Sequence, residues 1–143
     1  MADADLRRIA EQMMEAGFDA YNGGHLRLAL IGLGSALEAI LIDLLEQASG
    51  EELKEAKKKA KPNFNNQENN NKPSSWRLVN LVKVADKLSS LENAPVAGAQ
   101  AVRELRNQVH PALVREGGVP QADLEADFNV VQGVLGVVIR EVS

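Results

Sequence analysis

Over most of its length this chain repeats apolar residues at helical spacing. Leu6, Ile9, Ala10, Met13, Met14 and Phe18 line one face of a predicted helix from about Asp5 to Tyr21. Arg7, Arg8, Glu11, Gln12 and Glu15 take the opposite side. Asn22-Gly23-Gly24 ends this helix, because Asn and Gly tolerate the left-handed conformation that closes one. From about His25 to Ala48 the chain is apolar nearly all round. Leu26, Leu28, Leu30, Ile31, Leu33, Leu37, Ile40, Leu41, Ile42, Leu44 and Leu45 cannot share one face. Such a helix lies in the middle of a bundle or crosses a membrane. Glu38 and Asp43 favour the bundle, since each charge would cost about 2.5 kcal/mol or more near a bilayer centre. Gly32, Gly34, Ser35 and Ala36 form a small-residue patch on which another helix can approach closely, within the chain or across a dimer.

Residues 51–75 break this pattern. EELKEAKKKAK is charged and could extend the second helix. PNFNNQENNNKPSS, centred on an Asn-rich insert at about 61–74, holds two prolines and one aromatic residue, Phe64. It has too little apolar surface to offset the cost of ordering, so a mobile connection is expected. A third helix is expected from Ser74 or Ser75, either of which can cap it, through Trp76, Leu78, Val79, Leu81, Val82, Ala85 and Leu88. Val96, Ala99, Val102, Leu105 and Val109 predict a fourth helix over about Pro95 to Val109, stopped by Pro111. Leu124, Phe128, Val131, Leu135, Val138 and Val142 predict a fifth over about Gln121 to Val142. No strand pattern competes. The expected fold is all-α: one domain over residues 1–143, an antiparallel four- or five-helix bundle with a long connection between the second and third predicted helices.

Composition narrows the chemistry. The chain has 143 residues, 45% of them hydrophobic but only 3% aromatic, so aliphatic side chains make the core. No cysteine is present, which excludes disulfides, zinc–thiolate sites and thiol catalysis. His25 and His110 are the only histidines and cannot build a His-rich metal site, so no metal or cofactor is expected. The formal charge of −4 gives no global attraction to nucleic acid or membrane. MADADLRR lacks an apolar run, which predicts a cytoplasmic protein with no membrane partner.

One stretch gathers reactive groups. Arg103, Arg106, Asn107 and His110 are related by helical steps and share a stripe beside Val102, Leu105 and Val109. An imidazole can take a proton from a ribose 2′-hydroxyl or deliver one to a leaving oxygen. Guanidinium groups can hold the phosphate through paired hydrogen bonds and stabilise its developing charge, without a metal. The structural alternative pairs Arg103 and Arg106 with Glu38 or Asp43 on the buried helix, with Asn107 and His110 capping helix ends. Lys57, Lys58, Lys59 and Lys61, with Lys54, Lys72 and Arg77 nearby, form a basic cluster that could contact RNA phosphates or be a solvated helix end.

GLGSALEAILIDLLE, the insert, SSWRLVNLVKVADKL and then LRNQVHP resemble, in that order, the HEPN superfamily of helical domains from prokaryotic toxin, abortive-infection and RNA-processing systems. The resemblance spans about residues 15–142. It implies a homodimeric bundle that binds RNA or cuts it without metal, often alongside a cognate partner or antitoxin. It assigns His110 as acid/base, Arg103 and Arg106 as phosphate ligands, and Asn107 as their helper. Arg106 is followed by Asn107 as in the family pattern but stands closer to His110 than that pattern has it. Arg103 has the wider spacing but is followed by Glu104. The competing expectation is a non-catalytic helical interaction or dimerisation module.

Overall fold

Asp3 sets the start of the first helix. Its carboxylate accepts the backbone N–H groups of Asp5 and Leu6 at 2.9 and 3.0 Å, which satisfies donors that a helix N-terminus otherwise leaves open. In the computed structural model, which describes residues 3–88 together with Asn129, Gln132 and Gly133, this helix is α1, Ala4–Asn22. It closes where Gly23 N–H reaches back to Asp19 O at 3.0 Å and His25 N–H to Ala20 O at 2.8 Å, with Gly24 at φ +81° between them. That positive φ is the conformation for which glycine carries no steric penalty.

The reversal sends α2, Leu26–Gln47, back antiparallel along α1. Two glycines set how close the helices come. A Cβ on Gly32 would lie 2.8 Å from Gly17 Cα and 2.9 Å from Met13 O. A Cβ on Gly17 would lie 3.1 Å from both Ala29 O and the Leu33 side chain. The small-residue patch anticipated for a helix contact is therefore used, at Gly32, inside the chain. At the far end of the hairpin Asp3 N–H donates to Asp43 Oδ1 at 2.9 Å. Asp43 is buried and also accepts from the Gln47 amide, so backbone and amide partners hold it. By length and composition α2 could cross a membrane, but most of it is buried against the rest of the protein.

The charged stretch does not extend α2. Ala48 and Ser49 are both extended, and Ser49 Oγ accepts Glu52 N–H at 3.1 Å, capping a separate helix α3, Gly50–Ala60. A serine cap followed by glycine outcompetes continuation, because glycine is a poor helix interior residue and serine satisfies free N–H groups. Lys61 then adopts the left-handed conformation, φ 50°, and turns the chain out of α3.

The third predicted helix also starts later than expected. Pro73–Ser75 makes a single 3-10 turn, Trp76 is extended, and α4 covers Leu78–Ala85, followed by tight turns to Leu88. Neither Ser74 nor Ser75 caps it; Ser75 Oγ instead binds Asn69 N–H at 2.8 Å and Lys72 O at 2.7 Å. Leu30, Leu33, Leu37, Ile40 and Leu45 of α2 share one core with Leu81 and Val84 of α4, Leu88, Trp76 and Ala56. The described residues thus form an all-α fold without strands. The fourth and fifth predicted helices, about 95–109 and 121–142, lie outside them, except that Asn129, Gln132 and Gly133 are helical and exposed.

Candidate functional site

Arg103, Arg106, Asn107 and His110 lie outside the described residues. The candidate partners and the basic cluster lie within them. Glu38 sits half-buried on α2, and burial pushes its carboxyl above the usual carboxylate range. Among the described residues it forms no ion pair. His25 is exposed at the start of α2, with no side-chain hydrogen bond capping that helix.

The four lysines singled out by sequence divide into two groups. Lys57 turns toward the Asn-rich segment, and its Nζ donates to Asn70 O at 2.9 Å and Asn71 Oδ1 at 3.4 Å. Lys58, Lys59 and Lys61 are exposed, as are Lys54 and Lys72. Ala56 is the buried position of α3, so the helix presents one face to the core and its lysines largely to water.

The most elaborate polar assembly among the described residues was not anticipated. Glu68, in the middle of the Asn-rich segment, is buried, its side chain only 1% exposed. Its Oε1 accepts Asn65 N–H at 3.0 Å and Arg77 Nε–H at 2.8 Å. Its Oε2 accepts Arg77 N–H and Asn80 Nδ2–H, both at 2.9 Å. Arg77 Nη2 and Asn80 Nδ2 also donate to Asn63 O, at 2.7 and 3.1 Å. Burial, the largest influence on this carboxyl, opposes its ionisation, but the donors of Asn65, Asn80 and Arg77 together outweigh it and hold Glu68 down at about 2. An acid that stays ionised across the physiological range neither donates nor relays a proton there, so Glu68 ties the loop to α4.

Trp76 completes the attachment. It is 2% exposed, donates Nε1–H to Asn69 O at 2.6 Å, and packs on Phe64 with ring centroids 4.9 Å apart. Asn65 Oδ1 accepts Gln67 N–H and Glu68 N–H, and Asn69 Oδ1 accepts Asn71 N–H, so asparagine side chains cap the turns themselves. The mobile connection expected between the helices, inferred from its lack of apolar area, is here anchored by polar groups and one aromatic pair. The sequence signal for this was a lone acid among amides, preceding Arg77 and Asn80 at the start of an apolar run.

Among the described residues no group of three or more His, Asp or Glu side chains is arranged to hold a metal ion. The chain matches no protein-family model, no curated protein and no solved structure.

Proposed function

We propose that this chain is a HEPN-like helical domain that binds RNA and cuts it without a metal. The observation that carries the reading is the row Arg103, Arg106, Asn107 and His110, ending at Pro111 and following a close antiparallel helix pair, a long connection and a further helix. In this reading His110 takes the proton of a ribose 2′-hydroxyl, whose oxygen attacks the adjacent phosphorus and displaces the 5′-oxygen; the imidazolium gives that proton to the departing oxygen, leaving a 2′,3′-cyclic phosphate and a 5′-hydroxyl. Arg103 and Arg106 hold the phosphate and offset its added charge, and Asn107 orients the sugar or the imidazole. The setting is a cytoplasmic homodimer, held in check by a cognate partner or antitoxin. The test is cleavage of a labelled RNA in EDTA by the wild-type protein and by His110→Ala. Cleavage by the wild type alone is expected; equal cleavage by both removes the catalytic claim.

Half-buried Glu38 favours a second reading, a non-catalytic interaction module. Its carboxyl is desolvated and lacks an ion-pair partner among the described residues, a position suited to a guanidinium. If Arg106 fills that place, Arg106→Ala lowers the melting temperature sharply. A phosphate-binding arginine facing solvent leaves melting nearly unchanged.

A further inference from the structure

Charge is distributed very unevenly along this chain. Between Lys54 and Arg77 seven Lys and Arg stand against two Glu, a net of +5 in a protein whose formal charge is −4. One of those two acids, Glu68, is already neutralised by Arg77 inside the loop knot. Lys54, Lys58 and Lys61 follow one another at four and three residues along α3 and its cap, on a line about 10 Å long. All three are exposed, and among the described residues none forms an ion pair. Like charges one turn apart repel, and although Glu51, Glu55 and the C-terminal end of α3 offset part of that repulsion, the three ammonium groups themselves face water. Beside them the loop is tied to α3 through Lys57 and to α4 through Glu68. It carries Asn66, Gln67 and Asn70, exposed and with no side-chain hydrogen bond among the described residues.

We infer that the lysine row of α3 and the amide-bearing loop form a binding surface for single-stranded nucleic acid. The ammonium groups match successive phosphates, and the amides can both donate to and accept from base edges, which are open in a single strand. A lipid surface fits less well. The large exposed apolar side chains among the described residues, Ile9, Leu28 and Ile31, are on α1 and α2, and none is on α3 or the loop. Phe64 and Trp76, the rings that would insert into a bilayer, are packed on each other with Trp76 buried. The inference deepens the RNA reading above but assigns strand contact to residues other than Arg103, Arg106, Asn107 and His110.

The experiment is fluorescence anisotropy of a labelled oligouridine with the full chain. Three phosphate contacts on a single strand give a log–log salt slope near −2, roughly a twentyfold loss of affinity between about 50 and 200 mM salt. The triple variant Lys54→Gln, Lys58→Gln, Lys61→Gln should bind at least about tenfold more weakly at the lower salt, with a slope near zero. The same three positions changed to Arg should bind like the wild type, as should Lys83→Gln with Lys87→Gln at the end of α4. Unchanged affinity in the Gln triple variant overturns the surface. So does the absence of oligouridine binding by the wild type, or binding only to vesicles containing phosphatidylserine. If Arg103→Gln with Arg106→Gln abolishes binding and the lysine variant does not, the RNA reading stands and this surface falls. If the lysine variant alone loses binding and His110→Ala cleaves as the wild type does, the surface stands and the nuclease falls.

Discussion

Replacing Glu68 by Gln perturbs one atom of a side chain that accepts four hydrogen bonds among the described residues. They come from Asn65, Arg77 and Asn80, two on each carboxylate oxygen. Glutamine keeps one accepting oxygen and turns an NH2 group toward the other two donors. Each buried donor so abandoned costs about 1–3 kcal/mol. A second route gives a similar size. Lowering a carboxyl from 4.5 to about 2 corresponds to at most about 3 kcal/mol, reduced by the half-exposed Arg77 guanidinium to about 2–3 kcal/mol. The sign follows from the depressed value. The contribution is complete above the unfolded value of 4.5 and is lost as pH falls toward 2. Urea or thermal unfolding of wild type and Glu68→Gln at neutral pH should differ by about 2–3 kcal/mol, roughly 10 °C in melting temperature. Near pH 3 the difference should shrink to about 1 kcal/mol. A neutral-pH difference under about 1 kcal/mol would show that the knot does not bear on stability, and a larger difference that does not change with pH would show that its contribution does not come from the ionised carboxylate.

Three further substitutions probe the scaffold. Gly32→Ala places a methyl group against backbone atoms of α1 that cannot yield separately, so it should destabilise by about 1–3 kcal/mol despite alanine's better helix propensity; chemical denaturation measures it. Lys61→Gly relieves a left-handed non-glycine residue at the end of α3 and should raise stability by about 1 kcal/mol, read as a higher urea midpoint. Glu38→Gln removes a desolvated charge whose raised carboxyl makes wild-type stability fall as pH rises above 4.5. The variant should therefore be slightly more stable than wild type at neutral pH and indistinguishable below pH 4.5; a marked loss at neutral pH would instead favour a guanidinium partner for Glu38.

Periodicity alone made the helical class, α1, α2 and their turn legible. Leu6 through Phe18 repeat on one face, and Asn22-Gly23-Gly24 is a local stop signal. Those features act within a few residues of themselves, so the sequence displays them directly. Boundaries that depend on competing local options were less legible. Ser49 capping a separate α3, and Ser75 binding Asn69 and Lys72 instead of opening α4, were each one choice among several. Of the chemistry, the basic cluster was visible as a run. That Lys57 is tied to Asn70 while its neighbours are exposed depends on a loop thirteen residues away.

The order of residues along the chain was enough for an α-helical class with an aliphatic core, no thiol chemistry and one concentrated run of positive charge. That a buried acid holds an insert too polar to collapse emerges from the folded arrangement alone. The reason is distance along the chain: hydrophobic spacing repeats every turn and is read locally. The partners of Glu68 come from Asn65, Arg77 and Asn80, and they meet only when the loop folds back onto α4.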